Sequence, residues 1–98
     1  MDYFPVFVKL QEAPCLVVGG GEVALRKVRL LREAGARLTV VAPQLVPELA
    51  SLAAQGQLAH LDGVFEPEYT VGMRLVVAAT NRRDINRQVS EAAQQRGI

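Results

Sequence analysis

The chain has 98 residues, half of them hydrophobic and 21% charged, with a formal net charge of +1. That suffices for one domain with a single core, and it gives neither nucleic acid nor an anionic membrane surface a basic face to bind. No apolar run approaches the ~20 residues of a membrane span, and Met1-Asp2-Tyr3-Phe4-Pro5 lacks the pattern of a secretory signal.

The lone cysteine, Cys15, has no internal disulfide partner and reads as a small apolar strand residue, so the cytoplasm is the expected compartment. Residues 3–10 read as an extended lead-in and 11–14 as a turn. Cys15-Leu16-Val17-Val18 is an apolar run suited to a buried strand, and it stops at Gly19-Gly20-Gly21. A helix follows over 22–34, with Ala24, Val28 and Leu31 on one face flanked by Leu25, Leu30 and Ala34, and with Arg26, Arg29 and Glu33 opposite. Gly35 is a helix C-terminal signal.

Residues 37–42 are rich in β-branched side chains and form the second strand, closed by Pro43. A second helix is predicted over 46–54, a weaker third strand over 58–61, and one helical turn near 66–69 within irregular chain. Leu75 to Ala79 reads as a fourth, fully buried strand, and 83–95 as a last helix. This alternation predicts an α/β fold of the Rossmann type, a doubly wound parallel sheet in the order 3-2-1-4, cut off before a fifth strand.

In that order strands one and four flank the point where the chain reverses its direction of growth, and ligands of such sheets bind there, beyond the strands' carboxyl ends. Gly19, Gly21 and Ala24 match the G-x-G-x-x-A fingerprint of dinucleotide sites, between a strand and a helix as that fingerprint requires. Gly19 lets the chain turn, Gly21 lets a pyrophosphate approach without meeting a Cβ, and Ala24 lets helix and strand pack closely. The helix N-terminus then offers free N–H groups to the phosphates. The predicted site joins Gly19-Gly20-Gly21, Ala42-Pro43-Gln44 and Thr80-Asn81. An acid for the adenosine ribose is missing after strand two, where Val41-Ala42-Pro43-Gln44 also lacks an arginine for a 2′-phosphate, and this favours NAD over NADP.

These residues resemble the N-terminal NAD-binding domain of the sirohaem synthase family, which unites precorrin-2 dehydrogenase and sirohydrochlorin ferrochelatase. The likeness rests on Phe4-Pro5-Val6-Phe7, the run Val17 to Ala24, Arg26-Lys27, Leu30-Leu31, Gly35-Ala36, Val41-Ala42-Pro43, and Ala78-Ala79-Thr80-Asn81 with Asn86 beyond. Its most specific part is the pairing of the glycine segment with the Ala-Ala-Thr-Asn segment.

The resemblance implies oxidation of precorrin-2 to sirohydrochlorin with NAD as hydride acceptor, and insertion of ferrous iron in many full-length members. It places Glu22 and Val23 at the pyrophosphate, Pro43 and Gln44 at the adenosine end, and Thr80 and Asn81 on the nicotinamide side, where the tetrapyrrole also approaches. The family's catalytic aspartate follows the next strand, so residues 1–98 read as the single cofactor domain of a longer, homodimeric protein, and no catalytic residue is assigned within them.

Other polar residues have structural readings. His60 has no second histidine and sits on a strand expected at the sheet edge. Asp62, Glu66, Glu68 and Asp84 lack ligand spacing, so no metal site is expected. Lys27 falls inside the apolar sector of its helix, either with a packed stem and a snorkelling ammonium or in contact with an acidic partner, tetrapyrrole carboxylates or a segment after residue 98. Arg82-Arg83 opens the last helix, where cations oppose the dipole; they read as a solvated pair or as partners of those carboxylates. Two other functions fit the fold: a regulatory NAD-binding module, which generally keeps the missing acid, and a ligand-free scaffold, which has no need of Gly19 and Gly21.

Overall fold

The computed structural model describes residues 10–98, so the predicted lead-in lies outside the described residues except for Leu10. Four strands, β1 (Pro14–Val18), β2 (Arg37–Ala42), β3 (Ala59–Asp62) and β4 (Leu75–Ala78), alternate with helices α1 (Glu22–Glu33), α2 (Pro47–Ala54) and α3 (Arg83–Gln95). A 3-10 turn, Pro67–Thr70, sits between β3 and β4. The strands form one parallel sheet in the order β3-β2-β1-β4, the predicted doubly wound arrangement.

The sheet separates two apolar layers because successive strand residues face opposite sides. Cys15 and Val17 of β1 join Val40, Ala24, Val28, Leu31 and Leu49 on the side of α1 and α2. Leu16 and Val18 join Val41, Phe65 and Val89 on the side of α3 and the 3-10 turn. β1 is therefore covered on both faces, and Cys15, Leu16 and Val17 are fully buried. Burial raises the pKa of the Cys15 thiol above the usual thiol range.

Element ends follow local signals. Gly35 adopts φ +81° and its N–H caps the Arg32 carbonyl at 2.9 Å, as a helix-terminating glycine does. Pro47 begins α2 with Val46 as its cap, one residue later than expected, because a proline is accommodated in the first turn without an N–H to satisfy.

Two expectations about burial are corrected. Leu30 and Ala34 are exposed and do not flank the packed face of α1; at ~100° per residue Leu30 falls on the far side from Ala24, Leu25, Val28 and Leu31. β4 is half-buried throughout, because it pairs with β1 alone among the described strands and so forms a sheet edge. The buried residue there is Ala79, just past the ladder. Lys27 is half-buried at the border of the α1 packing face.

Leu16→Ala removes a side chain with no solvent exposure from the doubly covered strand. It is expected to cost about 2–5 kcal/mol, lowering the thermal midpoint by at least ~10 °C in a domain of this size. Leu30→Ala, on the exposed side of α1, is expected to shift that midpoint by less than ~2 °C, and thermal unfolding followed by circular dichroism separates the two.

Candidate functional site

The carboxyl ends of the strands open into a cleft of about 620 Å³. It is lined by Gly19 to Val23 after β1, Pro43 to Val46 after β2, Gly63 to Phe65 after β3, and Thr80 to Arg82 after β4. All nine residues expected to hold a cofactor (Gly19, Gly20, Gly21, Glu22, Val23, Pro43, Gln44, Thr80 and Asn81) line this one cleft.

The three glycines have three different reasons to lack a side chain. Gly19 turns out of β1 at φ +136°, its N–H bonded to the Val41 carbonyl at 2.9 Å, and a Cβ there would overlap the Ala79 carbonyl. A Cβ on Gly20 would overlap the Gln44 carbonyl and stand 2.8 Å from the Ala42 Cβ. The Gly20 carbonyl also accepts the Val46 N–H at 2.8 Å, which seats the loop before α2 on the glycine turn. Gly21 caps α1 with φ −98°, open to any residue, and a Cβ there would meet nothing within 4 Å.

The space in front of Gly21 is part of the cleft. The first α1 bond runs from the Leu25 N–H to the Gly21 carbonyl at 3.0 Å, and no side chain caps this end. The N–H groups of Glu22, Val23 and Ala24 thus have no acceptor inside the helix. A pyrophosphate fits such a cradle: unobstructed approach at Gly21, with donors and the positive dipole end behind it.

Of the lining residues only Glu22 and Arg82 are charged. Glu22 lies in the field of Arg29, whose guanidinium is stabilised first by its hydrogen bond to Glu48 and further by Glu22. Arg29 donates to both Glu48 oxygens and so braces α1 against the start of α2. Arg82 donates to Asp84 at 2.9 and 3.2 Å, and that contact holds the Asp84 carboxyl below the usual carboxylate range. Arg83 is exposed and does not line the cleft.

Two contributions were not foreseen from the sequence. The loop Gly63-Val64-Phe65 closes the β2 side of the cleft, in chain that reads as irregular. Asn86, noted only as part of a family likeness, ties down the loop after β4. Its Oδ1 accepts the Thr80 N–H at 3.2 Å and the Thr80 hydroxyl at 2.7 Å, while its Nδ2 donates to the Thr80 carbonyl at 3.0 Å. His60, on the edge strand β3 and outside the cleft, donates from Nε2 to the Ala42 carbonyl at 2.8 Å. Among the described residues no group of three or more His, Cys, Asp or Glu side chains converges to hold a metal ion, and no helix is long and apolar enough to cross a membrane.

The parallel sheet, the glycine turn at its switch point and the open N-terminus of α1 define a dinucleotide-binding domain of the Rossmann class. An NAD(P)-binding family matches residues 6–98, and the chain belongs to that family. Its whole length is 58% identical to a stretch of siroheme synthase from Chromobacterium violaceum and 54% identical to one of siroheme synthase from Methylobacillus flagellatus, covering 21% of each relative. The chain thus spans about a fifth of the length of these curated relatives. Among solved structures it is similar to SirC, a precorrin-2 dehydrogenase, with TM-score 0.81 and 33% identity over 90% of this chain and 44% of that one. The family expected from the glycine and Ala-Ala-Thr-Asn segments is the one these comparisons return, and NAD lies within the ligand class it binds.

Substitutions at the turn separate fold from binding. Gly21→Val keeps an accessible backbone conformation but fills the cradle, so NAD affinity is expected to fall by more than about tenfold with the thermal midpoint little changed. Gly20→Ala drives a methyl into the Gln44 carbonyl and is expected to lower the thermal midpoint itself. Calorimetric titration with NAD beside thermal unfolding reads both.

Proposed function

We propose that this chain is the cofactor domain of an NAD-dependent precorrin-2 dehydrogenase acting in sirohaem biosynthesis. The observation that carries the reading is Gly21, whose missing side chain leaves the cleft open in front of the first-turn N–H groups of α1. It is supported by siroheme synthase relatives along the whole chain and by the fold shared with a precorrin-2 dehydrogenase.

In this reading the pyrophosphate lies against Gly21, Glu22 and Val23, the adenosine between Pro43-Gln44 and Gly63-Val64, and the nicotinamide toward Thr80 and Asn81. Bound NAD would supply the hydride acceptor for the oxidation of precorrin-2, with a proton lost to a base. The chain's own residues bind and orient the dinucleotide. The chain spans about a fifth of its curated relatives, and in this reading the base, the dimer contacts and most of the tetrapyrrole site lie in the rest of the full-length protein. The full protein works as a homodimer in the cytoplasm, and it takes ferrous iron as a substrate where it also completes sirohaem.

The test is to mix the full-length gene product with precorrin-2 and NAD and follow NADH absorbance. Sirohydrochlorin forming in step with NADH is the expected outcome. NAD binding without turnover would replace the proposal with a regulatory dinucleotide-binding module.

Cofactor choice gives a second test. The adenosine end, at Pro43, Gln44, Gly63 and Val64, has no cation among its lining residues to meet a 2′-phosphate. NADP is expected to bind at least about tenfold more weakly than NAD, and Gln44→Arg to narrow the gap. Equal binding of NAD and NADP by the unaltered protein would show that this end does not select.

A further inference from the structure

The loop after β4 carries two of the expected cofactor residues, Thr80 and Asn81, but they are not equivalent. Every polar group of Thr80 is engaged inside the protein. Its N–H and carbonyl pair with the two ends of the Asn86 amide. Its hydroxyl donates to Asn86 Oδ1 at 2.7 Å, with the Arg82 carbonyl a second acceptor at 3.0 Å, and it accepts the Arg82 N–H at 3.1 Å. Asn81, next in the chain, is exposed on the cleft and has no hydrogen bond among the described residues. Asn86 stands in the first turns of α3, half-buried, behind the loop and outside the cleft lining.

We propose that Asn86 is a positioning residue, which locks Thr80 so that Asn81 is presented to the nicotinamide side of the cleft before the dinucleotide arrives. The inference rests on the dehydrogenase reading above and extends it to a residue that touches no ligand. The chemistry accounts for the residue type. Only a primary amide offers a donor and an acceptor side by side to the N–H and C=O of one residue. An aspartate would set a carboxylate oxygen against the Thr80 carbonyl, and a leucine would leave both backbone groups without partners. Thr80, whose N–H, carbonyl and hydroxyl are each engaged inside the protein, is structural in this arrangement, and Asn81 is the contacting residue.

A loop held in its binding geometry binds with its intrinsic affinity; a loop that visits that geometry only part of the time binds more weakly by that fraction. In the full-length protein, Asn86→Ala is expected to raise both the dissociation constant and the KM for NAD by about tenfold, as when the competent fraction falls to a tenth. The kcat at saturating NAD is expected to stay within about twofold, because saturation restores the loop. Asn86→Asp keeps the side chain's size and both bonds accepted at Oδ1. It serves where the alanine variant fails to fold, and it is expected to weaken NAD binding in the same direction, at high salt as well as low, since the fault lies in the loop and not in long-range charge.

A purely structural role would lower the thermal midpoint and leave NAD affinity of the folded protein unchanged. That result, or a collapse of kcat with NAD affinity intact, overturns the inference. Failure of the unaltered protein to bind NAD would remove the functional reading and this inference with it. Normal NAD binding and turnover matched by both variants would overturn the inference alone.

Discussion

The structure depends on backbone meeting backbone at one corner. At the ends of β1, β2 and β4 the chain passes Gly19 against the Ala79 carbonyl and Gly20 against the Gln44 carbonyl, so closely that a single methyl would overlap either oxygen. Nothing soft lies between these segments to absorb a change. Side-chain contacts in a core tolerate a rotamer shift, whereas two main chains in contact must both move, and the strands that carry them move too. The hydrogen bonds Gly19 N–H to Val41 O and Val46 N–H to Gly20 O hold the same corner from the other direction. Three loops that are distant in sequence therefore share one geometry.

That shared geometry explains how a nearly neutral cleft can receive a doubly charged pyrophosphate. Of its lining residues only Glu22 and Arg82 are charged, and Arg82 is already committed to Asp84. Attraction must come from main-chain N–H groups at the start of α1, whose dipoles are fixed by the fold and reorganise little when an anion arrives. A site built this way needs access more than charge. The open space at Gly21, set between two glycines that are crowded, provides it.

Much of this was legible in the sequence because it is written in local pattern. The apolar run Cys15–Val18, the β-branched run ending at Ala42, the proline that follows and the glycines at 19, 21 and 35 each specify a local conformation, and together they give the sheet order. What was not legible depends on partners far along the chain. Leu30 is the exception: its apolar type suggested the core, although the ~100° step of a helix already sets it opposite Ala24, Val28 and Leu31. The half-burial of β4 follows from its place at the sheet edge, which its apolar composition contradicts. Gly20 reads as part of the cofactor turn, and only the fold reveals the Gln44 carbonyl beside it. The loop Gly63–Phe65 has no periodicity, and it joins the cleft because β3 pairs with β2 in parallel and ends beside it.

Asn86 shows where the boundary between local and non-local information lies. It lies six positions after Thr80, too far for a local turn motif, and in the sequence it is an ordinary polar residue of a helix. Its place becomes meaningful once α3 is packed behind β4 with its first turns level with the loop. The glycine side of the cleft is shaped by the absence of side chains, and the Thr80 side by one amide. A dinucleotide that spans the cleft must satisfy both at once, so errors on the two sides add in the same bound complex even though the residues responsible never touch. The glycine corner leaves no freedom on its side. In the proposed reading any adjustment falls to the loop after β4, where geometry rests on replaceable side-chain bonds and Asn81 lines the cleft without a hydrogen bond among the described residues.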